Sequence, residues 1–280
     1  MRPAAKPALT PSEVIRTIEY LSPPAPVSMT QYWFDIASLD HFWVRRRFAV
    51  LQKLAGRKIS AARELAEIGC GHGLLQRQIE EAFGKEVCGF DLNENALKQN
   101  VSRHSKLYCY DIFRRDASLR EKFDLIFLFD VLEHISEEFA FLQALLSHLA
   151  AEGSLVVNVP AGQWAYSSYD VAAGHVRRYS VRNLKRVMAV NGLGLKNWSY
   201  WGLPLVPSLL IRKLWLMGKH NESEVICAGF DSRSNTINKM MAILSRMEWL
   251  PQRFLGTSLM AVFKRVNDRV LSSDERGPRV

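Results

Sequence analysis

Short blocks of apolar residues alternate along this chain with longer stretches in which apolar residues recur every three or four positions. The blocks at 65–68, 86–90, 106–109, 124–129 ("DLIFLF") and 154–159 are too short for helices and read as strands, those at 124–129 and 154–159 fully buried. The stretches at 74–83, 94–102 and 137–149 carry the helical period. Farther on, "SVRNLKRVMAVNG" (180–192) predicts a helix with a serine N-cap and a glycine stop, and 194–202 and 257–265 predict two more strands. Between those strands lies an interval rich in Leu, Met and Trp with mostly helical spacing, which reads as an insertion. At the other end, residues 1–30 are proline-rich and predict a mobile arm with one short helix starting near Ser12, and 31–54 is an aromatic, basic segment with helical spacing.

Strands that alternate with helices imply a mostly parallel sheet covered on both faces, with ligands at the carboxyl ends of the strands. The expected organisation is an N-terminal arm and aromatic lid helix (1–54), an α/β core (55–202) with an acceptor loop at 160–180, a helical insertion (203–255), and a final strand with its tail (256–280).

Composition narrows the partners. With 280 residues, 48% apolar and 23% charged, the chain can bury a substantial core. The net charge of +9 is diffuse: "WVRRRF" and "HVRRYS" are its densest clusters, and neither extends into a basic tract, so no nucleic acid is expected. Cys70, Cys88, Cys109 and Cys227 show no CxxC spacing and read as small buried residues in a reducing, cytoplasmic setting. The longest apolar stretch, 201–218, is interrupted by Pro204, Pro207, Arg212 and Lys213, which leaves at most peripheral membrane contact.

The chemistry begins with "ELAEIGCGHGLL". Glu67 closes the first strand of the core, Gly69, Gly71 and Gly73 form a turn, and a helix follows, so backbone amides can approach a ligand. A ligand-free turn is the plain alternative. A dinucleotide site would want a glycine at position 74, which is Leu74. Asp91 ends the next strand about 20 residues on, where a carboxylate can take two ribose hydroxyls. Asp111 in "YCYDIF" ends the third and could accept from an adenine amino group, and "FDLIFLFDVLEHI" presents Asp130, Glu133 and His134 after the fourth.

In that order, Glu67, the alternate glycines, Asp91, Asp111 and "FDVLEHI" resemble the class I S-adenosylmethionine-dependent methyltransferases, tightly over about residues 60–160. Within them, "FDLIFLFDVLEHI", "VPA" and "GHVRRYS" resemble the small-molecule enzymes related to ubiquinone-biosynthesis O-methyltransferases. The resemblance implies a Rossmann-like, seven-stranded, mostly parallel sheet with helices on both faces and an antiparallel last strand that follows the helical insertion. It also implies S-adenosylmethionine as cofactor. Gly69, Gly71 and Gly73 would line its methionine part, Glu67 its ammonium, Asp91 with Leu92 its ribose, and Asp111 with Ile112 its adenine, with Asp130 beside the methionine. The implied activity is methyl transfer to a small-molecule acceptor, O-methylation ahead of C- or N-methylation; the Leu, Ile, Met and Trp residues of the 203–255 insertion could form an apolar pocket for a lipid-like acceptor, or else a satellite core or dimer contact. A cofactor-binding partner protein without catalysis and a nucleotide-linked oxidoreductase are the competing readings, the latter opposed by Leu74.

The acceptor side is expected in "GQWAYSSYDVAAGHVRRYS" (162–180), whose Trp164, Tyr169, Arg177 and Tyr179 are candidate substrate contacts. His175 is the first candidate general base because imidazole titrates near neutral pH, and His134 is the second. Arg178 is expected to pin the loop to a carboxylate such as Asp170. Glu133, His134 and His175 have metal-ligand chemistry, but their separation along the chain argues against an ion, and no metal is assigned. Tyr32, Trp33, His41, Phe42 and Trp43 would form the lid, with Arg45 to Arg47 near the substrate.

Overall fold

The computed structural model describes residues 17–27, 38–216 and 235–266. Its frame is a mixed eight-stranded sheet: β1 (Ile18–Tyr20), β2 (Leu65–Ile68), β3 (Cys88–Asp91), β4 (Leu107–Cys109), β5 (Phe123–Phe129), β6 (Leu149–Pro160), β7 (Leu193–Trp201) and β8 (Ser258–Arg265). The spatial order is β1-β4-β3-β2-β5-β6-β8-β7. β1 to β6 run parallel, while β8 inserts between β6 and β7 antiparallel to both. Chain order reverses between β2 and β5, so a crevice opens beyond Ile68 and Phe129 where parallel α/β sheets take their ligands.

The helices are α1 (Phe42–Ala61), α2 (Leu74–Phe83), α3 (Glu94–Lys98), α4 (Glu138–Leu146), α5 (Ser168–Ala172), α6 (Val181–Val190), α7 (Val206–Trp215) and α8 (Asn235–Arg246). Val50, Leu51 and Leu54 of α1 and Leu75 and Ile79 of α2 bury one face of the sheet. Phe141, Leu142 and Leu145 of α4 and Leu184 and Met188 of α6 bury the other. Each fully buried Leu or Ile contributes about 1.5–3 kcal/mol, and spacing at three and four residues is what brings these side chains onto one stripe of each helix.

The expected seven strands become eight because the proline-rich arm adds a short edge strand: Ile18, Glu19 and Tyr20 pair with Leu107, Tyr108 and Cys109. Three residues give too short a pattern to stand out in the sequence, and tertiary pairing overrides it. β6 begins earlier than its apolar block because "LAAEG" continues the strand where its composition suggests a turn. The helix expected at 94–102 stops at Lys98, and Asn100 instead donates to Gln76 Oε1 at 2.8 Å and accepts from Ser102 N–H at 2.9 Å. The helix expected as a lid starts at Phe42 behind His41, whose Nδ1 accepts from Trp43 N–H at 3.3 Å. The helix near Ser12, the lid residues Tyr32 and Trp33, and Cys227 lie outside the described residues.

Candidate functional site

The glycine turn is shaped by two constraints. Gly69 and Gly73 have φ of 76° and 71°, a region that L side chains avoid. A Cβ on Gly69 would come within 2.4 Å of Val131 Cγ2, and one on Gly73 within 2.4 Å of the Asn100 amide. Much of the glycine requirement is therefore internal. The ligand-facing signal lies instead in the carboxylates around the turn.

Glu67 is buried at the end of β2, and its Oε2 has no hydrogen-bond partner among the described residues. Burial pushes its pKa up to about 8, opposed by the charge of Arg47. An unpartnered carboxylate oxygen in a dry crevice is costly unless something donates to it, and an ammonium is suited to do so. Arg47 reaches in from α1 and donates to Asp130 Oδ2 at 2.6 Å, with its guanidinium 4.8 Å from the Trp43 ring centre and 5.2 Å from that of Phe129. Asp130 itself sits at φ 57°, and Asn158 donates to its Oδ1 at 2.7 Å. Trp201 Nε1–H in turn donates to Asn158 Oδ1 at 2.9 Å, and Trp43 packs on Trp201 with ring centres 5.4 Å apart. Burial raises the pKa of Asp130, against the neighbouring Arg47 charge.

Asp91 accepts from the N–H groups of Gly71 and Asn93, both at 2.8 Å, which fixes its carboxylate against the glycine turn while each oxygen keeps a lone pair. Leu92 O accepts from Ala25 N–H at 3.2 Å. Asp111 caps the short 3₁₀ turn Ile112–Arg114 by accepting from Phe113 N–H at 3.0 Å, and its own N–H donates to Ser22 Oγ at 2.8 Å. The arm thus runs along the ends of β3 and β4, beside the positions expected to hold ribose and adenine.

In the loop expected to face the acceptor, fully buried Asp170 gathers the chain. Its Oδ2 accepts from Ser167 N–H at 2.9 Å, and its Oδ1 from Arg178 Nε at 2.7 Å and from the His175 ring at 3.0 Å. Burial alone would raise the Asp170 pKa, but His175 and Arg178 hold it below the ordinary value. As a proton acceptor it fixes hydrogen on His175 Nδ1, which leaves Nε2 as the free base of the ring, 4.0 Å from Glu133 Oε1. Arg178 pins the loop to Asp170, as its position in the sequence suggested.

His134 meets His175 edge to face with ring centres 4.8 Å apart. Burial, helped by the neighbouring His175, lowers its pKa to about 4, so it is a weak proton acceptor. Glu133 is buried with its Oε2 unpartnered among the described residues, and burial pushes its pKa well up. Ligand atoms of Glu133, His134 and His175 all lie within 4.8 Å of one another. Sequence separation was a poor guide here, because Val176 N–H donates to Glu133 O at 2.8 Å and brings the two segments together.

The four acceptor candidates divide. Tyr169 is buried beneath Arg212 of α7, whose guanidinium sits 4.0 Å from its ring centre, and Trp164 is half-exposed with its carbonyl accepting from Lys213. Both therefore face the insertion. Arg177 and Tyr179 are turned elsewhere: Arg177 Nη1 pairs with Glu138 at 2.7 Å and Nη2 donates to Ser136 O, while the buried Tyr179 hydroxyl donates to Glu138 at 2.8 Å. The structure makes these two a brace on α4 because Glu138, at the first turn of that helix, supplies the nearest acceptor. Sequence reasoning did not single out Ser22, Asn158 or Trp201, and placed Arg47 on the substrate side. Only Asn158 carried a signal, as the lone amide within the apolar run "LVVNVP".

A family model for a methyltransferase domain matches residues 37–199. A "Probable S-adenosylmethionine-dependent methyltransferase" of Mycobacterium tuberculosis (strain CDC 1551 / Oshkosh) is 27% identical over 123 residues, 44% of this chain and 44% of that protein. The ubiquinone biosynthesis O-methyltransferase of Nitrobacter winogradskyi is 27% identical over 156 residues, 50% of this chain and 59% of its own length. The chain thus spans about half the length of the curated relatives it matches. A solved SAM dependent methyltransferase from Archaeoglobus fulgidus superposes with a TM-score of 0.52 at 18% identity, covering 84% of this chain and 98% of that one, a likeness of fold.

Proposed function

The chain belongs to the methyltransferase-domain family, and from that premise we propose that it moves a methyl group from S-adenosylmethionine to a hydroxyl on a small-molecule acceptor. The observation that carries the donor half is the buried, unpartnered oxygen of Glu67 beside the glycine turn, with Arg47 close by. A zwitterionic amino acid is the ligand that meets both: its ammonium answers Glu67 and its carboxylate answers Arg47. Asp91 and Leu92 would hold the ribose, and Asp111, Ile112 and Ser22 the adenine end. Gly69, Gly71 and Gly73 let backbone approach the methionine part, and no phosphate cradle is called for.

When bound, the cofactor supplies a methyl carbon already activated by its sulfonium. What remains for the protein is alignment, exclusion of water and removal of one proton. His175, held by Asp170 through Nδ1, would take the acceptor's hydroxyl proton on Nε2, and the bound cofactor would supply the methyl group. Arg47 and Trp43 on α1 cover the crevice and keep water from the reacting centre. The O-methyltransferase among the relatives supports an oxygen acceptor.

Calorimetry with S-adenosylmethionine, S-adenosylhomocysteine and NAD tests the donor; binding of NAD alone would overturn it. A cell extract incubated with enzyme and isotope-labelled cofactor tests the transfer, read as one product gaining one methyl. A second reading is favoured by the cluster of Glu133, His134 and His175: a divalent ion held there would lower the acceptor's hydroxyl pKa in place of a base. Turnover unaltered by a strong chelator would reject it.

A further inference from the structure

The loop after α8 is inside out. Along 247–255, the polar Glu248 and Gln252 point inward, Leu250 packs on the core, and Met247, Trp249 and Phe254 point to solvent. Glu248 accepts from the N–H groups of Gly202 and Leu203, both at 2.9 Å, and pairs with Arg46 of α1. Gln252 accepts from Phe254 N–H at 2.9 Å, and its own N–H donates to Ser199 Oγ at 2.9 Å. These bonds fix the loop from beneath. Above them, Met247, Trp249 and Phe254 are 76%, 86% and 87% exposed. Ordinary folding leaves scattered apolar residues at a surface, but not three large ones on a loop held rigid by buried polar anchors.

The exposed stripe continues up α8 through Met240 and Ile243, which with Met247 follow the helical spacing of three and four. The exposed charges it carries itself have one sign. Lys239, Arg246 and Arg253 are exposed, and among the described residues of 203–257 the only acidic side chain is Glu248, buried and already paired. Apolar and indole side chains rimmed by Lys and Arg match an anionic lipid surface: the rings enter the headgroup region and the cations meet phosphate. No described helix is long and apolar enough to cross a membrane, so the contact is one of docking.

We propose that α8 and the loop 247–255 form a docking surface for an anionic phospholipid bilayer, with Trp249 and Phe254 as the inserting side chains. Through Glu248 and Arg46, that surface is tied to the same helix that carries Arg47 into the crevice.

The test is flotation of the full chain with vesicles of phosphatidylcholine alone and of phosphatidylcholine carrying about 30% phosphatidylglycerol. The expected result is partition onto the anionic vesicles about tenfold above the neutral ones, reduced by high salt. Trp249→Ser with Phe254→Ser should lower that partition about tenfold while thermal unfolding stays in place, since both side chains are exposed. Lys239→Glu with Arg246→Glu should remove the preference for anionic vesicles. Absence of partition onto either vesicle overturns the proposal, as does partition that the apolar double variant leaves intact. A dimer in light scattering that this variant dissolves, without vesicle binding, would assign the surface to a second copy of the chain and overturn it equally. Vesicle binding is read without turnover, so it stands or falls apart from the methyl-transfer reading.

Discussion

Two buried carboxylates on either side of the crevice are in opposite conditions. Glu67, on the proposed donor side, has an oxygen with no partner among the described residues and a pKa pushed up to about 8 by burial. Asp170, on the acceptor side, is saturated by Ser167, His175 and Arg178 and is held below its ordinary pKa. Burial acts on both in the same direction, so the partners decide the outcome. An unsatisfied buried group marks a place where a ligand completes the structure. A satisfied one marks scaffold, and Asp170's use is to orient His175.

The sharpest break of that contrast is at His175. His175→Ala should lower turnover by about 10²- to 10⁴-fold with cofactor affinity unchanged by calorimetry; unaltered turnover at every pH would remove it as the base. Next is Asp170→Ala, which strands Arg178 beside a lost partner and frees the imidazole. Urea unfolding should show a loss of about 3–5 kcal/mol, and a milder Asp170→Asn should depress turnover more than cofactor binding.

Glu67→Gln probes the other condition. The folded pKa of Glu67 lies above its unfolded value, so its contribution to ligand-free stability is full below about pH 4.5 and is lost as pH rises towards about 8. Unfolding of the native chain followed across that window should therefore show stability falling with pH, and the Gln variant should flatten the slope. An ammonium ligand requires the ionised form, so affinity for S-adenosylmethionine should rise with pH until about 8 and bring proton release on binding. The Gln variant should bind about tenfold more weakly and lose that dependence.

The smallest effect is expected at Arg177, a half-exposed brace on Glu138. Arg177→Ala should cost about 1 kcal/mol or less and leave turnover within about twofold. A large loss of turnover would return Arg177 to the acceptor site.

The positions of the residues expected on the donor side were readable because every signal there is local. Glu67 and Asp91 lie in the last residues of β2 and β3, while the glycines, Asp111 and Asp130 follow β2, β4 and β5, and a strand end fixes its residue's position without reference to the rest of the chain. The acceptor side was readable only in part. The loop 162–180 announced aromatic and titratable groups, but whether Tyr179 lines a pocket or braces α4 depends on Glu138, about 40 residues away, and that contact leaves no periodic trace. Arg47 is the same case: three consecutive arginines look alike in sequence, and the phase of α1 sends Arg46 to Glu248 and Arg47 to Asp130.

By itself, the sequence determined the alternating layout, the parallel core and the set of strand-end carboxylates, because period, burial and turn chemistry are properties of short segments; the antiparallel last strand came only as an implication of the family resemblance. Tertiary structure alone decided that the arm adds an edge strand, that Asn158 and Trp201 underpin Asp130, that Glu133, His134 and His175 converge, and that Trp249 and Phe254 face outward. Those outcomes rest on contacts between segments far apart in the chain, whose energies depend on which groups meet after the sheet has formed. The same folding leaves Glu67 unpaired at the glycine turn and Asp170 enclosed.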